Sequence, residues 1–269
     1  MIRIITGGAG AGKAKRCLYE IEQLHKKDPS AKCLMLVNEH YSHETEKLFT
    51  EYFGGTGLNN IEVTTFKKLS RELLSEALMR SLTASGKQIL LRKTTMQFLA
   101  EEPDINSNLR RAIKRGGFLD VLSQMISEMK HYNVSAEDLR KASDGINKNR
   151  ALKEKMSSLA RLYEIYSDNF AALEYTDSED GMEYLAEAVA YTDRLEDTYM
   201  WIDKFDELLP QQMKVVEALY HKVRQLTVSI CCPVSELERP LYAEVERTLR
   251  RIEMLDGERE YHDLSLIHI

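Results

Sequence analysis

The residues with the clearest chemical potential stand near the start of the chain: Gly7-Gly8-Ala9-Gly10-Ala11-Gly12-Lys13-Ala14. Glycines at this spacing let the backbone wrap tightly enough to aim several N–H groups at one anion. Lys13 adds a cation at the outer phosphates, and a helix starting there turns its positive end to the same place. Through its lysine this is a phosphate-binding P-loop. At the next position a Ser or Thr hydroxyl normally reaches the magnesium ion of the nucleotide. Ala14 has no ligand atom. The motif therefore reads either as a degenerate site for ATP with magnesium or as a loop that keeps its shape and has lost its ligand; the expectation is weak or no nucleotide binding and negligible hydrolysis.

A second chemical group is Trp201-Ile202-Asp203-Lys204-Phe205-Asp206. An aspartate at the end of a buried strand holds magnesium directly or through water, so Asp203 is the candidate metal ligand. The next residue would have to be an acid that orients the attacking water; Lys204 cannot do this while protonated. Asp206 and Glu207 read as solvated loop acids. Thr65, Phe66, Lys67, Lys68 and Arg71 form a third group, with cations for a nucleic-acid backbone and Phe66 as a stacking face. Arg110, Arg111, Lys114 and Arg115 form a further basic cluster. Both clusters read equally well as solvated helix faces.

These groups need a scaffold. Arg3–Thr6, Lys32–Val37, Ile61–Thr64, Tyr199–Asp203 and Leu226–Ile230 are short apolar runs of the kind that form buried parallel strands. Between about Leu69 and Leu195 the pattern is helical. Phe118, Val121, Leu122, Met125, Ile126 and Met129 fall on one face, as do Leu152, Met156, Leu159, Tyr163, Tyr166 and Phe170. These stripes read as core packing. Ser135 and Thr176, each with an acid three residues on, read as helix starts. The expected fold is α/β: a P-loop parallel sheet with a large all-helical insertion; the resemblance of Val63-Thr64-Thr65-Phe66 to a superfamily 1 helicase motif implies that the sheet is RecA-like and superfamily 1 helicase-like. Residues 1–75 and 196–263 form the α/β domain and 76–195 the insert. Ligands of such sheets sit outside the carboxyl ends of the strands.

Composition narrows the function. With 269 residues, 43% hydrophobic and 30% charged, the chain reads as an ordinary globular protein. Its net charge of −6 excludes a wholly basic nucleic-acid binder, so DNA contact must come from a local face or a partner. Cys17, Cys33, Cys231 and Cys232 have neither zinc nor disulfide-framework spacing, which points to reduced thiols in a cytoplasmic protein. No signal peptide or membrane span is visible.

Several segments, taken in order, carry a resemblance. Val63-Thr64-Thr65-Phe66-Lys67-Lys68-Leu69 looks like the Thr-Phe motif of UvrD-type superfamily 1 helicases, where that loop touches single-stranded DNA. Leu36-Val37-Asn38-Glu39-His40-Tyr41-Ser42 resembles the "VPEQ-aromatic-Ser/Thr" stretch of AddB/RexB, with Asn38 for the Pro and His40 for the Gln. Ile89–Lys93, Gly117-Phe118, Ser127–Tyr132, Ser178–Asp180 and Ile202–Phe205 with Leu209–Gln212 agree with that family in order. The family's usual form of the last segment is "IDGF…TPQE", which also lacks the catalytic acid. Ala14 departs from it, since members commonly carry Ser or Thr there.

AddB/RexB is the B subunit of the bacterial ATP-dependent helicase/deoxyribonuclease that processes double-strand breaks. The resemblance implies that this chain is its N-terminal, helicase-like part, which is not the motor. It implies an AddA/RexA-type partner and single-stranded, Chi-containing DNA as ligand. The family's nuclease domain and iron–sulfur cluster belong to its C-terminal region, and nothing here matches that. Leu264-Ser265-Leu266-Ile267-His268-Ile269 is what the transposon end used as a sequencing adapter encodes. The tail is accordingly expected to be an artefact, with the natural chain continuing past Asp263. The rival readings are an active superfamily 1 helicase, which needs a hydroxyl at Ala14 and an acid at Lys204, and a stand-alone P-loop ATPase or kinase.

Overall fold

All five apolar runs form strands in the computed structural model: β1 (Ile2–Thr6), β2 (Lys32–Val37), β3 (Ile61–Thr64), β4 (Thr198–Asp203) and β5 (Gln225–Ile230). A sixth strand, β6 (Arg259–Asp263), has no counterpart in the sequence pattern, because Arg-Glu-Tyr-His-Asp contains no apolar run. It lies at the sheet edge, where polar residues are tolerated. Every pairing is parallel and the order is β3-β2-β4-β5-β1-β6. The structure describes residues 2–54, 60–74, 82–173, 175, 181–232 and 239–255, and the backbone of 259–263. The predicted helix start at Thr176, the Ser178–Asp180 segment and the tail from Leu264 lie outside them.

Helix α1 (Lys13–Lys27) follows β1, α2 (Ser42–Tyr52) follows β2, and α3 (Phe66–Leu73) follows β3. Then come α4 (Ala84–Glu101), α5 (Ser107–Ile113), α6 (Phe118–His131), α7 (Ala136–Asp144) and α8 (Arg150–Ala171). Helices α9 (Gly181–Tyr191), α10 (Pro210–Lys222) and α11 (Ala243–Glu253) follow these in the chain. The chain divides into two compact units, Met1–Leu74 with Met182–Ile269, and Ser75–Gly181. The second unit therefore ends near Gly181, short of the residue 195 read from the sequence. The reason is α9, whose Leu185 and Val189 are fully buried in the core of the α/β unit.

The helical unit packs α4, α6, α7 and α8 around Leu91, Phe98, Leu122, Ile126, Leu139 and Tyr166. Ser135 starts α7 as its sequence predicts: its hydroxyl accepts from Asp138 N (3.1 Å), and Asp138 returns a carboxylate oxygen to Ser135 N (2.9 Å). Val121 and Leu152 leave the predicted stripes, at 57% and 43% exposed. Val121 falls beside the Leu122–Ile126–Met129 seam, and Leu152 lies in the first turn of α8. Among the described residues no helix is long and apolar enough to cross a membrane.

In the α/β unit, strand alternation sorts side chains onto two buried faces. Ile4, Leu36, Met200, Ile202, Val228 and Ile230 face α3, α9, α10 and α11. Ile5, Cys33, Met35, Val37 and Trp201 face α1 and α2. Connections of one hand force this arrangement. The chain steps one way across the sheet from β1 to β3 and the other way from β4 to β6, so the crossover helices fall on opposite faces. The direction reverses beside β1, the topological position outside which ligands of such sheets bind.

Candidate functional site

The loop after β1 has the backbone its glycines predict. Gly10 and Gly12 sit at φ +77° and +86°, a left-handed conformation that L side chains rarely adopt. Gly7 N donates to Cys232 O (3.1 Å), which ties the loop's entrance to the end of β5. Gly12 is the N-cap of α1 and offers no side-chain cap, nor is there an acid in the first turn. The first N–H groups of α1 therefore face outward with the helix's positive end behind them. Lys13 Nζ folds back and donates to Gly7 O (2.9 Å) and Gly8 O (2.8 Å). Its ammonium thus lies against the cradle that the loop forms. Lys15 adds positive charge to the same turn, whereas Arg16 is paired with Glu20.

Asp203 ends β4 on the α1 face, since Met200 and Ile202 point to the other side. Its side chain is 3% exposed, and its Oδ2 has no hydrogen-bond partner among the described residues. A buried carboxylate oxygen left open in this way fits a cation or its water, so the residues present are compatible with magnesium. The acids that follow lie elsewhere. Asp206 is exposed. Glu207 is turned to α11, where burial first, and then the Glu244 charge, push its carboxyl up.

Lys204 occupies a left-handed position (φ +64°), the place of the glycine in the family's usual form of this segment. Its Nζ pairs with Glu44 (3.2 Å) and lies 5.2 Å from the centre of the Tyr41 ring, which ties the loop after β2 to the end of β4. A left-handed conformation costs a non-glycine residue about 1–2 kcal/mol, more than an exposed ion pair returns. Lys204→Gly is expected to raise stability by up to about 1 kcal/mol, whereas Lys204→Ala keeps the strain, loses the contacts and falls below wild type. Thermal melts of the two variants check this, and equal midpoints would count against backbone strain.

The loop after β3 behaves differently from its sequence reading. Thr65 is buried and caps α3, accepting from Lys68 N (3.2 Å). Phe66 is fully buried, with its ring 5.6 Å from that of Phe205, so the expected stacking face is absent. An apolar ring at the first position of an amphipathic helix is taken up by the core. Lys68 pairs with Glu46, and Lys67 N donates to Glu39 (3.3 Å). Lys67 and Arg71 are exposed, one turn apart, and pair with no acid among the described residues. In the helical unit, Arg110 donates to Pro103 O (2.7 Å) and Arg111 to Asn108 Oδ1 (2.9 Å), and Arg111, Lys114 and Arg115 are the exposed cations of that cluster.

Residues 4–262 match the family described as "ADDB, N-terminal". The chain belongs to this AddB family. Among curated proteins named as the B subunit of the ATP-dependent helicase/deoxyribonuclease, that of Clostridium novyi is 28% identical over 232 residues, 85% of this chain and 20% of its own length. That of Alkaliphilus metalliredigens is 29% identical over 94% of this chain and 22% of its own. That of Heliobacterium modesticaldum is 30% identical over 89% of this chain and 20% of its own. The chain spans about a fifth of the length of these curated relatives.

Two features of this AddB-family chain escape the sequence reading. Glu20 of α1 receives both Arg3 guanidinium nitrogens (3.0 and 3.1 Å), Arg16 Nε (3.0 Å) and Trp201 Nε1 (3.3 Å), joining α1 to β1 and β4 beneath the loop. The available signal was Arg3, a charge in a buried strand, which demands a partner. The other is Ser229 of β5, 4% exposed, whose hydroxyl has no partner among the described residues. The four cysteines are free, and burial pushes the Cys33 thiol up to about 12.

Proposed function

We propose that this chain is the helicase-like, non-motor part of a subunit that processes DNA double-strand breaks. In this reading its loop Gly7–Ala14 holds ATP without turning it over. The observation that carries it is the uncapped start of α1 behind a left-handed glycine loop, with Lys13 inside the loop and the buried Asp203 at the end of β4, one strand removed from β1. A RecA-like P-loop assignment is supported by the parallel order in which β5 separates the loop strand β1 from the acid strand β4. A non-motor role is supported by Ala14 and by the absence of an acid at Lys204. An active helicase would need both.

The relatives are named as one subunit of a larger enzyme, which supports a partner of the AddA/RexA type. Exposed Lys67 and Arg71 on α3 supply a short cationic face for the backbone of a single strand, a Chi-containing one by the family resemblance. The test is a titration with a fluorescent ATP analogue, followed by a DNA-stimulated turnover assay. Wild type is expected to bind. Lys13→Ala, which removes a charge-assisted donor, is expected to weaken binding about ten- to a hundred-fold. Neither protein is expected to release phosphate. DNA-stimulated hydrolysis that Lys13→Ala abolishes would replace this reading with that of a motor.

A further inference from the structure

We propose that Ser229 supplies, from β5, the hydroxyl that position 14 lacks, and that Asp203 and Ser229 together hold the hydrated magnesium ion of the nucleotide. This rests on the nucleotide reading above and goes further in assigning a residue of a different strand to the site.

Register places the two side chains together. Ile202 pairs with Val228 and Ile5 with Ser229, so Asp203, one residue on from Ile202, lies beside Ser229 on the adjacent strand. Adjacent strands run about 4.8 Å apart. Leu226, Val228 and Ile230 point to the α10 face, which sends Ser229 to the α1 face, as alternation also sends Asp203. Both are almost wholly buried, at 3% and 4% exposed, and Asp203 Oδ2 and Ser229 Oγ both lack a partner among the described residues. Neighbouring orphan oxygens in a sheet interior call for a shared occupant.

The occupant lies under the start of α1. Ala14 and Cys17 are three residues apart and share a helix face, and Cys17 is fully buried against the sheet. Ala14 itself carries no side-chain oxygen for such an ion. One carboxylate, one hydroxyl and nucleotide phosphates are hard oxygen donors, and magnesium is commonly bound by only one or two protein oxygens, keeping several waters.

Affinity for a fluorescent ATP analogue, measured in magnesium and in EDTA, tests the assignment in wild type, Ser229→Ala, Ala14→Ser and the double variant. Magnesium is expected to tighten wild-type binding about ten- to a hundred-fold. Ser229→Ala is expected to lose most of that gain while keeping its affinity in EDTA, and adding Ala14→Ser is expected to restore it. Manganese binding followed by electron paramagnetic resonance reports the same change on the metal. Retention of the full magnesium effect in Ser229→Ala, with an unchanged melting temperature, overturns the proposal, as does magnesium-independent binding by wild type. Failure of the wild type to bind in either medium overturns the nucleotide reading itself.

Discussion

Phe66→Ala is expected to lower the stability of the α/β unit by about 3–5 kcal/mol, the range for truncating a buried phenylalanine. The side chain is fully buried, shares a cluster with Leu69, Leu185, Met200 and Phe205, and meets the Phe205 ring at 5.6 Å with an interplanar angle of 64°. The cluster draws on segments distant in sequence: the start of α3, the residues after Asp203, and α9. Removing the ring leaves a cavity whose walls belong to different elements and collapse poorly. Urea unfolding with an unchanged slope and a lower midpoint checks the value. The same variant separates two roles. A base-stacking residue would lose DNA affinity at little cost to folding, whereas this ring is expected to lose folding stability first. Phe66→Leu, which keeps most of the volume, is expected to recover most of the loss and leave DNA affinity at the wild-type level.

Glu20→Ala is expected to cost about 2–4 kcal/mol, because it removes the carboxylate of a largely buried ion pair. The Glu20 and Arg3 side chains are 9% and 16% exposed. Without the carboxylate, Arg3 and Arg16 each lose this ion pair and Trp201 Nε1 loses its acceptor. The same cluster sets an acid limit to stability. Burial alone would push the Glu20 carboxyl up. The hydrogen bonds and charge of Arg3, helped by Trp201 and Arg16, override that and hold it below its ordinary 4.5. A carboxyl lowered in the folded state binds more protons when unfolded, so its contribution is fully present above about pH 4.5 and disappears as pH falls through the folded value. Glu20→Gln is therefore expected to be less stable at pH 7 and to lose less between pH 5 and pH 3. Parallel acid limbs in the two proteins would remove Glu20 as the cause.

Local chemistry explains why so much of the site is legible along the chain. Gly10 and Gly12 are legible because their positive φ values favour glycine, and Lys13 because it stands at the start of α1 and folds back on the loop. Apolar runs announce β1 to β5 because strands of a parallel sheet are buried on both faces. Ser135 announces α7 because a cap satisfies N–H groups only a few residues away. Ala14 and Lys204 are equally direct, since a missing oxygen and a misplaced ammonium are facts of composition.

Tertiary structure decided everything that depends on which distant segments meet. Phe66 reads as an open ring until Phe205, well over a hundred residues away, closes on it. The pattern of β6 is polar, and only pairing with β1 makes it a strand. Glu20 looks like any charged helix residue until Arg3 and Trp201 arrive from two strands. Ser229 is an ordinary strand serine until the order β4-β5-β1 sets it between Asp203 and the loop strand. Sequence by itself determined the chemistry available at each position, because propensity, capping and charge act over a few residues. Strand order decided which chemistries share a site, because parallel pairing brings together residues whose separation along the chain carries no local signal.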